Sequence, residues 1–375
     1  MYRHLIFIVF MFAMTVFIYG KPFERTIDIE AGKQLKVEMN AGGSITVDGW
    51  DQNQVKIVLD SDYNEWNEND IDISKNSKGV YVEIRSDGHG NRSHGPDLHV
   101  YVPAKFDLDL QTMGGSINIT GVEGEFEGQT MGGSLNLSGL NGDIGMTTMG
   151  GSIAVENSRL EGEVKTMGGS IDFDNVTGGV KATTMGGSVS MKNKKAGTTG
   201  KDMSEVKVST MGGEIDIDDA PNGADVHTMG GDITVNSAKK FVKAKTMGGD
   251  INIEEIDGWV KATTMGGDIT VNMVGDASGS DQSVELSSMG GEIVLTLPKN
   301  IDADFDIHLV YTKDSRKDYE IKNDFGLKIE EKYKDWDYSH GQAKKELVGS
   351  GKTGSGKHTI YVKTVNGNIT IKKSK

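Results

Sequence analysis

The nine residues TMGGDITVN occur twice, letter for letter, at Thr228–Asn236 and at Thr264–Asn272. The Met-Gly-Gly core recurs at Met113, Met131, Met149, Met167, Met185, Met211, Met229, Met247, Met265 and Met289. Successive copies are 18 residues apart, except for gaps of 26 and 24. A fixed short period marks a repeat architecture. The two longer gaps predict polar loops, one around Asn193–Ser204 and one around Asp276–Gln282.

Aligned on Met, the fourth residue onward is always aliphatic, as in Ile117, Leu135, Ile153 and Ile233. The sixth is apolar too, through Ile119, Leu137, Val155, Phe173 and Met191. Between them stand Ser, Asn, Asp, Thr, Ala or Val, so the segment alternates with the period of a strand buried on one face. An apolar residue at the ninth position and a glycine at the eleventh (Gly124, Gly142, Gly178, Gly258) mark a turn. A second strand follows, seen best in VKATTMGG at Val180 and Val260, with Val180, Ala182 and Thr184 inward and Lys181 and Thr183 outward.

Eighteen residues cannot bury a core alone, so neighbouring units must stack. The expected fold is all-β: a parallel β-solenoid of the single-stranded β-helix type with 18-residue coils, right-handed by the rule for parallel crossovers. A hexapeptide β-helix also has 18 residues per coil but demands one aliphatic every six positions, which this sequence lacks. The pattern divides the chain into 1–20, 21–111 with a degenerate copy at Asn40–Trp50, the regular solenoid at 112–297, and a closing β region at 298–375. Irregular ends are expected because they must cap an open core.

The first twenty residues hold Arg3 and His4 and then an apolar run of 14 residues, Leu5–Ile18. A helix of that length spans ~21 Å, short of a ~30 Å bilayer core, and reads as a secretory signal. The chain is thus expected to be exported, to the periplasm, the cell surface or the medium. No second apolar segment follows. There is no Cys, hence no disulfide framework. The net charge of −15 argues against nucleic acid and anionic lipid as partners.

The stretches LHVYVPAKFDLDLQTMGGSINI, LTLPKNIDADFDI and VKTVNGNITI, with the Gly-Gly-strand units between them, resemble the bacterial putative-adhesin family of unknown function. The resemblance spans nearly the whole mature chain. It implies a secreted or envelope β-solenoid and carries over no catalytic residue. The implied partner is a surface protein or a glycan.

Three columns carry any chemistry. The Met column, with Met113, Met229 and Met265 as examples, is either a thioether ladder for a soft metal, an apolar docking stripe, or a corner filler packed on the core. Burial is worth ~1.5–3 kcal/mol per Met, and this favours the filler. The glycines behind it, such as Gly114, Gly115, Gly230, Gly231, Gly266 and Gly267, are expected to allow positive φ or close contact between coils.

The next residue is Ser in five coils and acidic in five. Glu214, Asp216, Asp232, Asp250, Asp268 and Glu292 lie on a face with eleven carboxylates and one lysine, Lys192. That face would attract Ca²⁺ or a basic partner, or would keep the rod soluble. No other cofactor is expected. His89, His94 and His99 with Asp87 and Asp97 form a weaker metal candidate. The phosphate-loop mimic at Gly349–Thr359 lacks a strand–loop–helix setting and reads as a plain loop. With no nucleophile constellation, the expected function is a non-enzymatic structural or adhesion module. A polysaccharide-active enzyme is the rival, signalled by a groove with paired carboxylates beside the insertions, and a metal-binding surface protein is the second.

Overall fold

The computed structural model describes residues 23–40, 42–60, 70–85, 95–192, 204–275, 280–315, 319–332, 336–337 and 343–375. The apolar leader and the body of both insertions lie outside the described residues. Among the described residues no helix is long and apolar enough to cross a membrane.

The repeat period becomes a stack of coils in register. Ile117 pairs with Leu135, Leu135 with Ile153, Ile153 with Ile171, Ile171 with Val189 and Val189 with Ile215, all in parallel strands. The same aliphatic column continues through Ile233, Ile251, Ile269 and Ile293. A second column runs through Met146, Val164, Ala182, Val208, Val226, Ala244, Ala262 and Leu286. The two sets of strands face one another and enclose a single apolar core. Bulk is traded along it: a Cβ on Gly128 would lie 2.6 Å from the Met146 methyl.

In some coils the two strands run on without a break, as in Ile153–Thr166 and Ile251–Thr263. The bend between them falls eight residues after Met. There the backbone is left-handed at Gly121, Gly139, Asn157 and Asn175. Glycine and asparagine adopt that conformation most cheaply, and Asn175 Nδ2 donates to Asn157 Oδ1 of the previous coil at 2.9 Å.

The ends depart from chain order. Val37 pairs with both Val82 and Leu110, and Ile45 with both Leu98 and Ile117. The degenerate copy at Asn40–Trp50 therefore sits inside the stack, with a later segment outside it. At the other end, His358–Val365 inserts between Val284–Ser287 and Ala303–Thr312, and Ile369 stacks on Ile293. Thr364-Val365-Asn366-Gly367 thus forms one more corner in register with Met-Gly-Gly. Antiparallel strands close both ends: Phe23–Asp28 on Gln54–Asp60, Ile71–Lys75 on Gly79–Ile84, and Lys344–Lys352 on Ala303–Thr312. Such caps cover strand edges that would otherwise recruit other chains.

Candidate functional site

The Met-Gly-Gly corner is built from hydrogen bonds between coils. The threonine before each Met points into the core and is 0–5% exposed from Thr112 to Thr264. Its hydroxyl does two jobs. Thr130 Oγ1 donates to the Gly115 carbonyl of the previous coil at 2.8 Å and accepts from Gly133 N at 3.3 Å. The pattern recurs at Thr148, Thr166, Thr184, Thr210, Thr228, Thr246 and Thr264. Ser288 and Thr364 continue it. A buried hydroxyl with both roles filled avoids the penalty of an unpaired polar group. This is why the position accepts Ser and never Val.

The two glycines differ. A Cβ on the second one would lie 1.9–2.1 Å from the carbonyl oxygen of its counterpart in the previous coil, from Gly115 to Gly291. A Cβ on the first would meet nothing nearer than 3.4 Å. None of these glycines has a left-handed φ. The close-contact expectation therefore holds for the second glycine, and the positive-φ expectation holds for neither.

The methionines contradict the corner-filler reading. All ten are exposed, from 36% at Met149 to 60% at Met289. Strand alternation survives the corner: Thr faces in and Met faces out. The backbone there is clamped from coil to coil, with Gly150 N donating to Met131 O at 3.0 Å and Gly230 N to Met211 O at 3.0 Å. The clamp leaves Met no route inward. Nine steps of ~4.8 Å between the ten coils make a row of thioethers ~43 Å long.

Beside the row runs the Ser/acid column. Ser116 Oγ accepts from Ser134 N at 3.1 Å, Asp232 Oδ1 from Asp250 N at 2.8 Å and Asp250 Oδ1 from Asp268 N at 2.7 Å. Glu292 N donates to Asp268 Oδ1 at 2.6 Å. Short acceptors that reach one coil along are what the position needs, so Ser and Asp interchange. Glu214, Asp216, Asp232, Asp250, Asp268 and Glu292 are all exposed. Among the described residues no three His, Asp or Glu side chains gather into a metal-holding cluster. Five of the six carboxylates stand in single file, with Asp216 two residues further along its strand on the same exposed face, rather than converging on a point.

Residues 199–372 match the family described as Toastrack DUF4097. The matched span begins in the first insertion and takes in the five acidic coils and the closing strands. Three crystal structures share features with the chain at low identity. One is a putative cell adhesion protein from Clostridium sporogenes ATCC 15579, 12% identical over 94% of this chain and 100% of that one, with a TM-score of 0.15. Another is a putative adhesin from Parabacteroides distasonis ATCC 8503, 13% identical over 74% and 98%, with a TM-score of 0.30. A third is a putative lipid binding protein from the same organism, 14% identical over 74% and 97%, with a TM-score of 0.32. No curated protein matches the chain.

The matched span also holds a groove of about 450 Å³ beside the second insertion, lined by Trp259, Asp281, Ser283, Glu285, Thr359 and Tyr361. It has the shape and the two carboxylates set as the sign of a polysaccharide-active enzyme. The Ser283 hydroxyl, aided by the Ser283 amide and His358 and opposed by burial, holds Asp281 below the usual carboxylate range, whereas a general acid needs the reverse. Glu285 is paired with Lys261 at 2.9 Å.

The phosphate-loop mimic is occupied from within: Ser355 Oγ, Gly356 N and Lys357 N donate to the Asp302 carboxylate at 2.8, 2.6 and 3.1 Å. Of the histidine candidate, His89, His94 and Asp87 lie outside the described residues. His99 bonds Asp48 at 2.6 Å and stacks on Tyr101, and Asp97 accepts from Ser44 N at 2.9 Å.

Proposed function

We propose that this chain is an exported, non-enzymatic binding rod of the bacterial envelope, and that its contact surface is the Met-Gly corner row. The observation that carries this reading is a subtraction. Ten internal copies keep Met and both glycines without exception, and Thr in all but one. Folding accounts for the threonine, through its two hydrogen bonds, and for the second glycine, through the 2.0 Å approach. It does not account for an exposed Met, nor for a first glycine that has room for a Cβ. A row that the fold does not need is retained for what it touches. The missing Cβ leaves bare backbone beside each thioether, which lets a ligand lie close.

The apolar leader supports export, and the −15 charge suits an extracellular rod that must stay dispersed. The test is cosedimentation of labelled rods with intact bacterial cells. Wild-type rods are expected to be retained, and rods with all ten corner methionines changed to Gln to be released at an unchanged melting temperature. Equal behaviour of the two rods removes the corner as the contact surface.

A further inference from the structure

The corner column is more selective than apolarity requires. The core column six residues after each Met reads Ile119, Leu137, Val155, Phe173, Met191, Ile217, Val235, Ile253, Val271 and Leu295. Five residue types exchange there, because burial asks only for apolar bulk of about the right size. The corner column is Met in each of the ten regular coils, and Val only in the closing corner at Val365. Leu, Ile, Val and Phe would all supply an apolar stripe. What they lack is the thioether sulfur.

We infer that the Met row is a soft-metal site, binding Cu(I) through the thioethers of adjacent coils. The inference rests on the corner row being the contact surface, and it names the ligand. Soft thioethers select Cu(I) over the harder divalent ions. The spacing fits. The hydrogen bonds from Gly150 N to Met131 O, Gly168 N to Met149 O and Gly186 N to Met167 O hold successive corners at strand separation, which is ~4.8 Å. At a metal–sulfur distance of ~2.3 Å, typical of a first-row metal, two sulfurs on opposite sides of an ion lie ~4.6 Å apart. Neighbouring methionines can therefore bracket one ion with little lateral shift, and three rotatable bonds per side chain supply the adjustment. The first glycine, with no Cβ, leaves space beside each sulfur.

The surroundings agree. With no Cys in the chain, no thiolate competes for a soft ion. The carboxylate column from Glu214 to Glu292 lies beside the row and raises the local concentration of cations. The row also has a defined end: the next corner beyond Met289 carries Val365, which has no sulfur.

The test uses the full mature rod under anaerobic conditions, with Cu(I) supplied from a chromophoric chelator that reports its own loss of metal. Paired coordination predicts about five Cu(I) per chain, two thioethers to each. Rods with all ten corner methionines changed to Leu keep the apolar stripe and are expected to withdraw none. Rods with only Met211, Met229, Met247, Met265 and Met289 changed to Leu are expected to withdraw about half. Absence of uptake by the wild type, or equal uptake by the wild type and the ten-Leu rod, overturns the inference. Cell retention of the same ten-Leu rod is scored separately. Loss of metal uptake with retention intact, or the reverse, thus tells failure of the metal site from failure of the contact surface.

Discussion

Changing Gly231 to Ala and Gly230 to Ala adds one methyl group to each of two adjacent residues, with opposite expected results. The Gly231 Cβ would lie 2.0 Å from the Gly213 carbonyl oxygen, while the Gly230 Cβ would lie 3.6 Å from that of Gly212. An ordinary C–H···O contact is ~3.3–3.6 Å, so Gly231→Ala must push two coils apart by more than ~1 Å. That shift breaks the bond from Thr228 Oγ1 to Gly213 O and the bond from Gly230 N to Met211 O, both now 3.0 Å. Two hydrogen bonds between coils lost, with their partners left unsatisfied, amount to ~2–6 kcal/mol. Gly230→Ala meets no steric conflict and loses chain entropy only in the unfolded state, so it is neutral or stabilising by up to ~1 kcal/mol. Denaturant unfolding followed through Trp259, one coil along, measures both. Variants within ~0.5 kcal/mol of each other would refute the assignment of distinct roles to the two glycines.

Thr246→Val leaves the Gly231 carbonyl and the Gly249 amide without the hydroxyl they now share, and is expected to lower stability by ~1–3 kcal/mol. Thr246→Ser keeps the hydroxyl, as Ser288 does, and should fall within ~1 kcal/mol of wild type in thermal melts. Gln282 is fully buried, and its side-chain Oε1 and Nε2 have no hydrogen-bond partner among the described residues. Gln282→Met keeps the volume, removes both polar atoms, and should raise stability by ~1 kcal/mol or more in the same melts.

Asp302 is held below the ordinary carboxylate range, chiefly by the Ser355 hydroxyl and then by the Lys357 amide. A depressed native value means its contribution is complete above the unfolded pKa and is lost as pH falls through the native one. The protection of the Gly356 and Lys357 amides, taken relative to the intrinsic exchange rate at each pH, should therefore fall below about pH 4, and Asp302→Asn should abolish that acid-side change.

Period, fold class and the burial of the strand residues were readable from the sequence because each is local to one coil. The alternation around Ile233 and Val235 names the inward face without knowledge of any neighbour, and the 18-residue spacing supplies the neighbour. The inward threonine was legible for the same reason. Asn157 and Asn175 carry a local turn signal of their own, eighteen residues apart at the positions where Gly121 and Gly139 stand in earlier coils. The threading of Asn40–Trp50 inside the stack had no local sign, since pairing partners 72 residues apart, such as Ile45 and Ile117, leave no periodic trace.

What the sequence alone determined, then, is a parallel stack of 18-residue coils with Ile, Val and Thr inside and Asp, Ser and Asn outside. Side-chain parity along a strand is a property of the chain itself. Only the tertiary structure decided the two features on which function turns. Whether Met faces in or out depends on the path of the backbone through the corner, and that path is set by hydrogen bonds to the coil before, not by the residues of the corner. Which glycine is indispensable depends on how closely one coil approaches the next. Both are distances between segments eighteen residues apart, and they take a value only once the coils are stacked.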